Sequence, residues 1–256
     1  MGRLEGKLAL VTGASRGYGR AIAQRLARDG AVVAAHYATN DKAMKTTLAS
    51  IKADGGRAFP VKANLDGSLG TIDTLFKFFD QGAKKLGLPT TIDVLVNNAA
   101  ICLRGSVEET TEAIFDGVFN VNVKAPFFLV KEALKRIPDG GRIVNISSQT
   151  SLVAFPGIAA YSMTKGAIDL MTLVLAKQLG PRQITVNSVL PGVADTDMNA
   201  DWLPGNAAGI AYVNSISALG RMCDVTDLAD IVGFLASHDG RWITGQKIDA
   251  AGGSQL

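Results

Sequence analysis

The sequence predicts an α/β protein: a single Rossmann-like, doubly wound domain whose seven-stranded parallel sheet is flanked by helices. Three observations predict it. Short apolar runs alternate with longer segments of helical period along the chain. The apolar runs lack polar alternation, which marks strands buried on both faces, as in a parallel sheet covered by helices. No linker rich in Pro, Gly or Ser and no internal repeat interrupts the 256 residues, so 1–256 reads as one domain.

In order, Lys7–Val11 is the first strand, followed by a glycine turn and a helix through about Arg28. Val32–Ala35 is the second strand, Asp41–Lys52 the next helix and Phe59–Lys62 the third strand. Ile72, Leu75, Phe76 and Phe79 fall at helical spacing within Thr71–Lys85. Ile92–Val96 is a buried strand, and Ala113–Arg136 is a long helical stretch, continuous or broken. Arg142–Ile146 is a strand, Ala159–Leu179 a helix, Ile184–Val189 a strand, Asp227–Leu235 a helix and Gln246–Ile248 a last short strand. Asp195–Leu219, with Trp202-Leu203-Pro204-Gly205 and many alanines, fits no element. Residues 197–218 read as an inserted substrate lid.

Composition narrows the function classes. Hydrophobic residues at 47% against 19% charged describe a packed chain rather than a disordered one. A net charge of +3 without a Lys/Arg cluster gives no nucleic-acid footprint. Two cysteines, Cys102 and Cys223, have no paired spacing and read as reduced core thiols. With His36 and His238 the only histidines, a zinc site or a Ser-His-Asp hydrolase has little to draw on, and no metal is expected. The start MGRLEGKLALVTG lacks signal-peptide shape, and no run approaches the roughly 20 apolar residues that span a bilayer. A cytoplasmic protein without a membrane segment is the expectation.

Two patterns carry chemistry. Thr12-Gly13-Ala14-Ser15-Arg16-Gly17-Tyr18-Gly19 lies between the first strand and the first helix. Glycines there allow a tight turn and close approach of a pyrophosphate, and the helix N-terminus beyond presents oriented N–H groups. Position within the first 20 residues makes this stronger than a bare glycine triplet. The second pattern is Tyr161-Ser162-Met163-Thr164-Lys165 at the start of a helix, where positions i and i+4 share a face. A phenol with a pKa of about 10 is a poor acid–base near neutrality, and a nearby ammonium lowers it. Alone, Tyr-x-x-x-Lys is weak. Ser148, 13 residues earlier at a strand end, Asn97-Asn98-Ala99-Ala100 and Pro191–Thr196 all reach the same sheet edge.

In this order and spacing the Thr12–Gly19 loop, Asn97–Ala99, Asn122, Ser148, Tyr161/Lys165, Pro191–Thr196 and the ending Ile243-Thr244-Gly245-Gln246 with Gly252-Gly253 resemble the short-chain dehydrogenase/reductase family from end to end. Within it, the chain resembles the 3-oxoacyl reductases and polyketide ketoreductases. The resemblance implies roles. Tyr161 donates a proton to a carbonyl oxygen that Ser148 holds. Lys165 lowers the Tyr161 pKa and binds the nicotinamide ribose, and Asn122 holds a water that links Lys165 to solvent. Cofactor contacts are implied at Gly13, Ser15, Arg16, Gly17, Tyr18 and Gly19, at Tyr37 and Thr39, and at Asn64 and Leu65. They are implied also at Asn98 and Ala99, at Tyr161 and Lys165, and at Pro191, Gly192, Val193 and Thr196. The chain departs from the family pattern at Ala100, usually glycine, and at Asn64, usually aspartate.

A dinucleotide without a 2′-phosphate is usually gripped by an acid after the second strand. Here that strand runs into His36-Tyr37-Ala38-Thr39-Asn40, with no acid before Asp41, while Arg16 can meet a 2′-phosphate and His36, Thr39 and Asn40 can add donors. NADP(H) is therefore expected over NAD(H). The substrate wall is expected from Leu103, Val153, Phe155, Ile158, Met198, Trp202, Leu203 and Tyr212, which suits a ketone or secondary alcohol on an apolar or acyl body. An acyl-carrier protein partner rests on Arg182, with Arg104 and Arg136 as further bases and Asp139 against it. Phe115, Phe119, Phe127, Phe128 and Leu173 would suit a helix-bundle interface in a homodimer or homotetramer. The alternatives are an NAD-dependent alcohol dehydrogenase of steroid or polyol type, and a non-catalytic dinucleotide sensor.

Overall fold

The computed structural model describes residues 2–256. The apolar runs become β1 (Leu8–Val11), β2 (Val32–Tyr37), β3 (Arg57–Lys62), β4 (Val94–Asn97), β5 (Arg142–Ile146), β6 (Thr185–Pro191) and β7 (Lys247–Ala250). All seven join one sheet in the order β3-β2-β1-β4-β5-β6-β7, every pair parallel. The order reverses direction between β1 and β4. The connections there leave to opposite faces and open a crevice at the carboxyl ends of the strands.

Strand alternation divides the core in two. Leu8, Leu10, Val32 and Ala34 point to one face, under α3 (Leu69–Lys85), α5 (Ala125–Ala133) and α6 (Ala159–Leu179). Ala9, Val11, Val33 and Ala35 point to the other, under α1 (Gly17–Arg28), α2 (Asp41–Ala53) and α8 (Val225–Ala236). The central strands β1, β2, β4 and β6 are buried throughout, as their unbroken apolar pattern predicted. The edge strands β3 and β7 alternate instead, because only one side of each is covered.

Three differences from the predicted elements bear on the site. β2 runs two residues further than expected, to Tyr37, so the chain leaves the sheet there and not at Ala35. The stretch predicted as Ala113–Arg136 is broken: α4 (Glu112–Phe119) is joined to α5 by a π-helical turn, Asn120–Lys124. Such turns are rare and recur at functional sites. Together these form one stretch, Glu112–Ala133, that is long and apolar enough to cross a membrane, contrary to the expectation that no such run exists. It packs against α3 and α6 of the fold. Last, the stretch left without an element contains a 3-10 turn, Asp197–Asn199, and α7 (Ala207–Ile216). The side chain of Asn206 caps α7 by accepting from the Gly209 N–H, and only Val213 of the helix is buried, so its sequence carries no apolar stripe to read.

Candidate active site

The glycine loop between β1 and α1 is a backbone device. Gly13 and Gly17 take positive φ of 66° and 52°, which side chains rarely adopt. A Cβ on Gly19 would overlap the Gly13 carbonyl oxygen, so this glycine lets α1 start directly beneath the loop. Arg16, at the N-cap, makes no side-chain cap, and the first turn of α1 holds no acid, so its N–H groups point outward uncompensated.

Two side chains hold this loop, of which Thr12 was not singled out as a site residue. Thr12 Oγ1 donates to the Val96 carbonyl at 3.2 Å and accepts from the N–H groups of Asn98 and Ala99 at 2.9 and 3.0 Å. The Asn98 amide donates to the Thr12 carbonyl at 2.8 Å and to that of Gly13 at 3.3 Å. The side chain expected to line the adenosine ribose thus binds the loop itself. Tyr18 is likewise a strut, its hydroxyl donating to the Gly192 carbonyl at 3.0 Å.

His36 is the clearest correction in this region. It is 2% exposed and cannot serve a phosphate. Its Nδ1 accepts from the Gly13 N–H at 3.1 Å, so Nε2 carries the proton and donates to the Ala63 carbonyl at 3.0 Å. Burial lowers its pKa to about 4, with the Ala63 contact opposing. The unfolded chain takes up a proton near pH 6.5 that the folded chain refuses until about 4. His36 therefore contributes stability above pH 6.5 that is lost as pH falls toward 4, about 3 kcal/mol in full. Thermal melts should show Tm falling across that window, and His36→Asn should flatten the slope. A slope unchanged by His36→Asn would show that other groups set it.

The acid–base residues come together at the ends of β5 and α6. Tyr161 and Lys165 lie one turn apart on the buried face of α6, 8% and 4% exposed. Lys165 Nζ donates to the Ile146 carbonyl at 2.8 Å and sits 5.5 Å from the centre of the Tyr161 ring. Burial lowers the Lys165 pKa to about 8, while Asp169 and Cys102 pull it back up. Burial raises that of Tyr161, Cys102 adds to the rise, and the Ser148 hydroxyl opposes it. For Tyr161 the net direction is upward, against the lowering expected from Lys165. Its ammonium is directed at a backbone carbonyl, and desolvation of the phenolate dominates. The phenol is therefore held in its proton-donating form.

Ser148 follows β5 directly, and its Oγ accepts from the Thr150 N–H at 3.2 Å. Asn122, 2% exposed, sits in the π-helical turn. Its Oδ1 accepts from Ile101 N–H at 2.9 Å, and its amide donates to the Ile101 carbonyl and to Thr164 Oγ1 at 2.9 and 3.2 Å. It pins the irregular segment that follows β4 to α6. With Lys165, Thr12 and Asn97 it lines one small internal cavity. Asn97 itself belongs to β4, and its amide donates to Asn145 Oδ1 at 2.8 Å across the sheet.

The sheet order, the glycine loop and the Ser148/Tyr161/Lys165 cluster coincide with one family over almost the whole chain. A family model described as Enoyl-(Acyl carrier protein) reductase matches residues 13–255. Versicolorin reductase stcU of Emericella nidulans is 38% identical over 262 residues, covering 98% of this chain and 97% of that protein. This chain belongs to the short-chain dehydrogenase/reductase family. It is an oxidoreductase by that membership. Among solved structures, the angucycline C-6 ketoreductase LanV with bound NADP is 48% identical with a TM-score of 0.94, covering 100% of this chain and 98% of LanV. LugOII, described as a promiscuous reductase catalysing keto-reduction at C1 during lugdunomycin biosynthesis, is 49% identical with a TM-score of 0.94, covering 99% of this chain and all of LugOII.

Against that family pattern the remaining site residues fall into place or out of it. The departure at Asn64 is exposed, whereas Leu65 beside it is a core residue at 6% exposure and offers only backbone. Ser15 is buried, and its carbonyl accepts from Arg20 and from Thr47 Oγ1. At the end of β2, Tyr37 donates its hydroxyl to Asp41 at 2.7 Å, and Lys62 bonds both Asp41 oxygens at 2.9 Å. Thr39 is exposed, while Asn40 is spent capping α2. Thr196 packs beside Gly17, where a Cβ would lie 3.4 Å from its methyl group. Pro191 ends β6, the Gly192 carbonyl takes Tyr18, and the Val193 carbonyl takes the Cys223 N–H.

The segment 197–218, expected to be a lid, is tied to the rest of the fold at two points. Arg16 Nη1 meets Asp197 at 2.7 Å, and Arg104 meets Asp201 at 2.9 Å with its guanidinium 5.5 Å from the centre of the Trp202 ring. Leu203, expected in the substrate wall, is 1% exposed. Leu103, Met198 and Tyr212 are exposed, and Val153, Phe155, Ile158 and Trp202 are half-buried. Cys102 and Cys223 are half-buried, not core thiols, and Cys102 lies near enough to Tyr161 and Lys165 to act on both. Arg182 precedes β6 at the amino end of the sheet, where it pairs with Asp139 at 2.9 Å and donates to the Ile137 carbonyl at 2.5 Å. Arg136 is paired with Asp80 at 3.2 Å and stacked on Phe76. Both arginines are thus engaged within the fold.

Proposed function

We propose that this chain is an NADPH-dependent ketoreductase that reduces a ketone on a mainly apolar, polycyclic aromatic substrate, with Tyr161 as the proton donor. The observation that carries this reading is the buried cluster of Tyr161, Ser148 and Lys165 at the carboxyl edge of the sheet, beside the uncapped N-terminus of α1. The outward N–H groups of α1, Gly13, Gly17 and the absence of an acid in the first turn fit a pyrophosphate. A nicotinamide held there would supply the hydride for the carbonyl carbon. Ser148 donates a hydrogen bond to the carbonyl oxygen and orients it. Tyr161 gives its phenolic proton to that oxygen as negative charge develops there. The phenolate left behind is met by the ammonium of Lys165 beside the ring. A phenol kept protonated by burial suits the reductive direction.

Preference for the 2′-phosphate follows from what surrounds the end of β2. The acid there, Asp41, is already engaged by Tyr37 and Lys62, so a ribose diol meets no free carboxylate. Arg16, in the glycine loop, keeps its guanidinium over half exposed while it pairs with the equally exposed Asp197. Arg16→Ala is expected to lower kcat/KM for NADPH about tenfold or more, by loss of a charge-assisted contact, and to leave NADH little changed. Wild-type preference for NADH, or an equal loss with both cofactors, would overturn this assignment.

The polycyclic substrate is supported by the half-buried aromatic and aliphatic residues that follow Ser148 and by the activities for which LanV, LugOII and versicolorin reductase are named. Turnover should be compared on polycyclic hydroxyaryl ketones and on 3-oxoacyl thioesters, followed by NADPH oxidation. The first class is expected to turn over faster. NADPH binding without turnover of either class would leave a dinucleotide sensor as the better reading.

A further inference from the structure

One buried acid near the cluster has no part in the chemistry above. Asp169 lies on α6 one turn beyond Lys165, so Tyr161, Lys165 and Asp169 stand at i, i+4 and i+8 on one face. It is 1% exposed. Its Oδ2 accepts from Ser151 Oγ at 2.7 Å, its Oδ1 has no partner, and the nearest cation is Lys247 of β7 at 4.0 Å. Burying a carboxylate with one oxygen unsatisfied is costly, so its stabilising value to the fold is small. Its position gives it another use.

Ser151 closes the 3-10 turn Gln149–Ser151 that begins immediately after Ser148. Its single hydroxyl proton lies between two acceptors, Asp169 Oδ2 at 2.7 Å and the Ser148 carbonyl at 2.9 Å. The Ser148 turn is thereby fastened to the helix that carries Tyr161. The rest of this contact is polar as well. Ser147 Oγ donates to the Lys165 carbonyl at 3.2 Å, Lys165 Nζ to Ile146, and the Asn145 amide to Thr172 Oγ1 at 2.8 Å. Apolar packing would tolerate a slide of α6 along β5, whereas directional bonds hold one register. Asp169–Ser151 is the bond of this row that reaches past the end of β5 to the turn holding Ser148.

We propose that Asp169 is a positioning residue for ketone reduction: through Ser151 its buried carboxylate holds the Ser148 turn in register with Tyr161. This rests on the ketoreductase reading above. Misplacing one hydrogen-bond donor by a fraction of an ångström lowers turnover without changing what binds.

The test is a double-mutant cycle on purified protein, with kcat and KM measured on a ketone that the wild type reduces and NADPH affinity measured by fluorescence. Ser151→Ala is expected to lower kcat on the order of tenfold with NADPH affinity close to wild type, and to lower Tm as well, because the Asp169 carboxylate loses its hydrogen-bond donor. On a Ser148→Ala background the same change is expected to cost nothing further, because the group it positions is gone. Asp169→Leu should match Ser151→Ala and add nothing to it; if that variant fails to fold, the serine cycle decides alone. Wild-type kcat in Ser151→Ala, or a Ser151→Ala loss that is additive with Ser148→Ala, overturns the proposal. Absence of any ketone turnover by the wild type fails the ketoreductase reading instead, and so is distinguishable.

Discussion

Tyr161→Phe is expected to lower kcat by about 10²–10⁴-fold while leaving NADPH affinity and the fold unchanged. The ring stays packed at the start of α6, and the hydroxyl contributes only the contact with Ser148. The loss is therefore in proton transfer and not in structure. Burial holds the phenol protonated, so the wild-type donor is present over the ordinary working range of pH. Lys165, with its pKa near 8, is the group that titrates within reach. Steady-state kinetics with the NADPH dissociation constant measured alongside check this. Activity within tenfold of wild type would remove Tyr161 from its role.

Gly19→Ala is expected to abolish measurable NADPH binding and to destabilise the protein. The added methyl group overlaps the Gly13 carbonyl and approaches the Asn98 amide, both of which are locked in the loop by other bonds. Overpacking of a fixed backbone costs about 1–3 kcal/mol, which for a chain of this size lowers Tm by several degrees. The larger effect is on binding, since the loop that admits the pyrophosphate has to be rebuilt. Isothermal titration and thermal melts of Gly19→Ala beside Gly117→Ala, which lies in α4 with open space around it, separate the two effects. Wild-type affinity in Gly19→Ala would show that the loop is not the cofactor cradle.

What could be read without the fold was short in range. The glycine loop is eight consecutive residues, and Tyr161 and Lys165 are four apart on one helix. Both patterns rest on local geometry, and both appear where the spacing placed them. Ser148 was legible because it ends a strand, and parallel strands end at a common edge. Residues whose partners are distant in the chain were misread or missed. His36 looked like a free donor until its two nitrogens proved committed to Gly13 and Ala63. Tyr18 meets Gly192, and Arg16 meets Asp197, across 174 and 181 residues. Ser151 and Asp169 carried no signal, since a serine in a turn and an acid in a helix are ordinary apart.

The protonation of the donor shows the division most plainly. The sequence by itself determined the family, the parallel sheet and which residues gather at its carboxyl edge, because hydrophobic period and motif order are properties of neighbouring residues. It also suggested that Lys165 lowers the Tyr161 pKa, as two charges one turn apart would. Only the tertiary structure set burial against that effect. Enclosure on the inner face of α6 strips water from the phenol and raises its pKa, while Lys165 both bonds the Ile146 carbonyl and lies beside the ring. Desolvation depends on everything that surrounds a group, and no spacing along a chain specifies that.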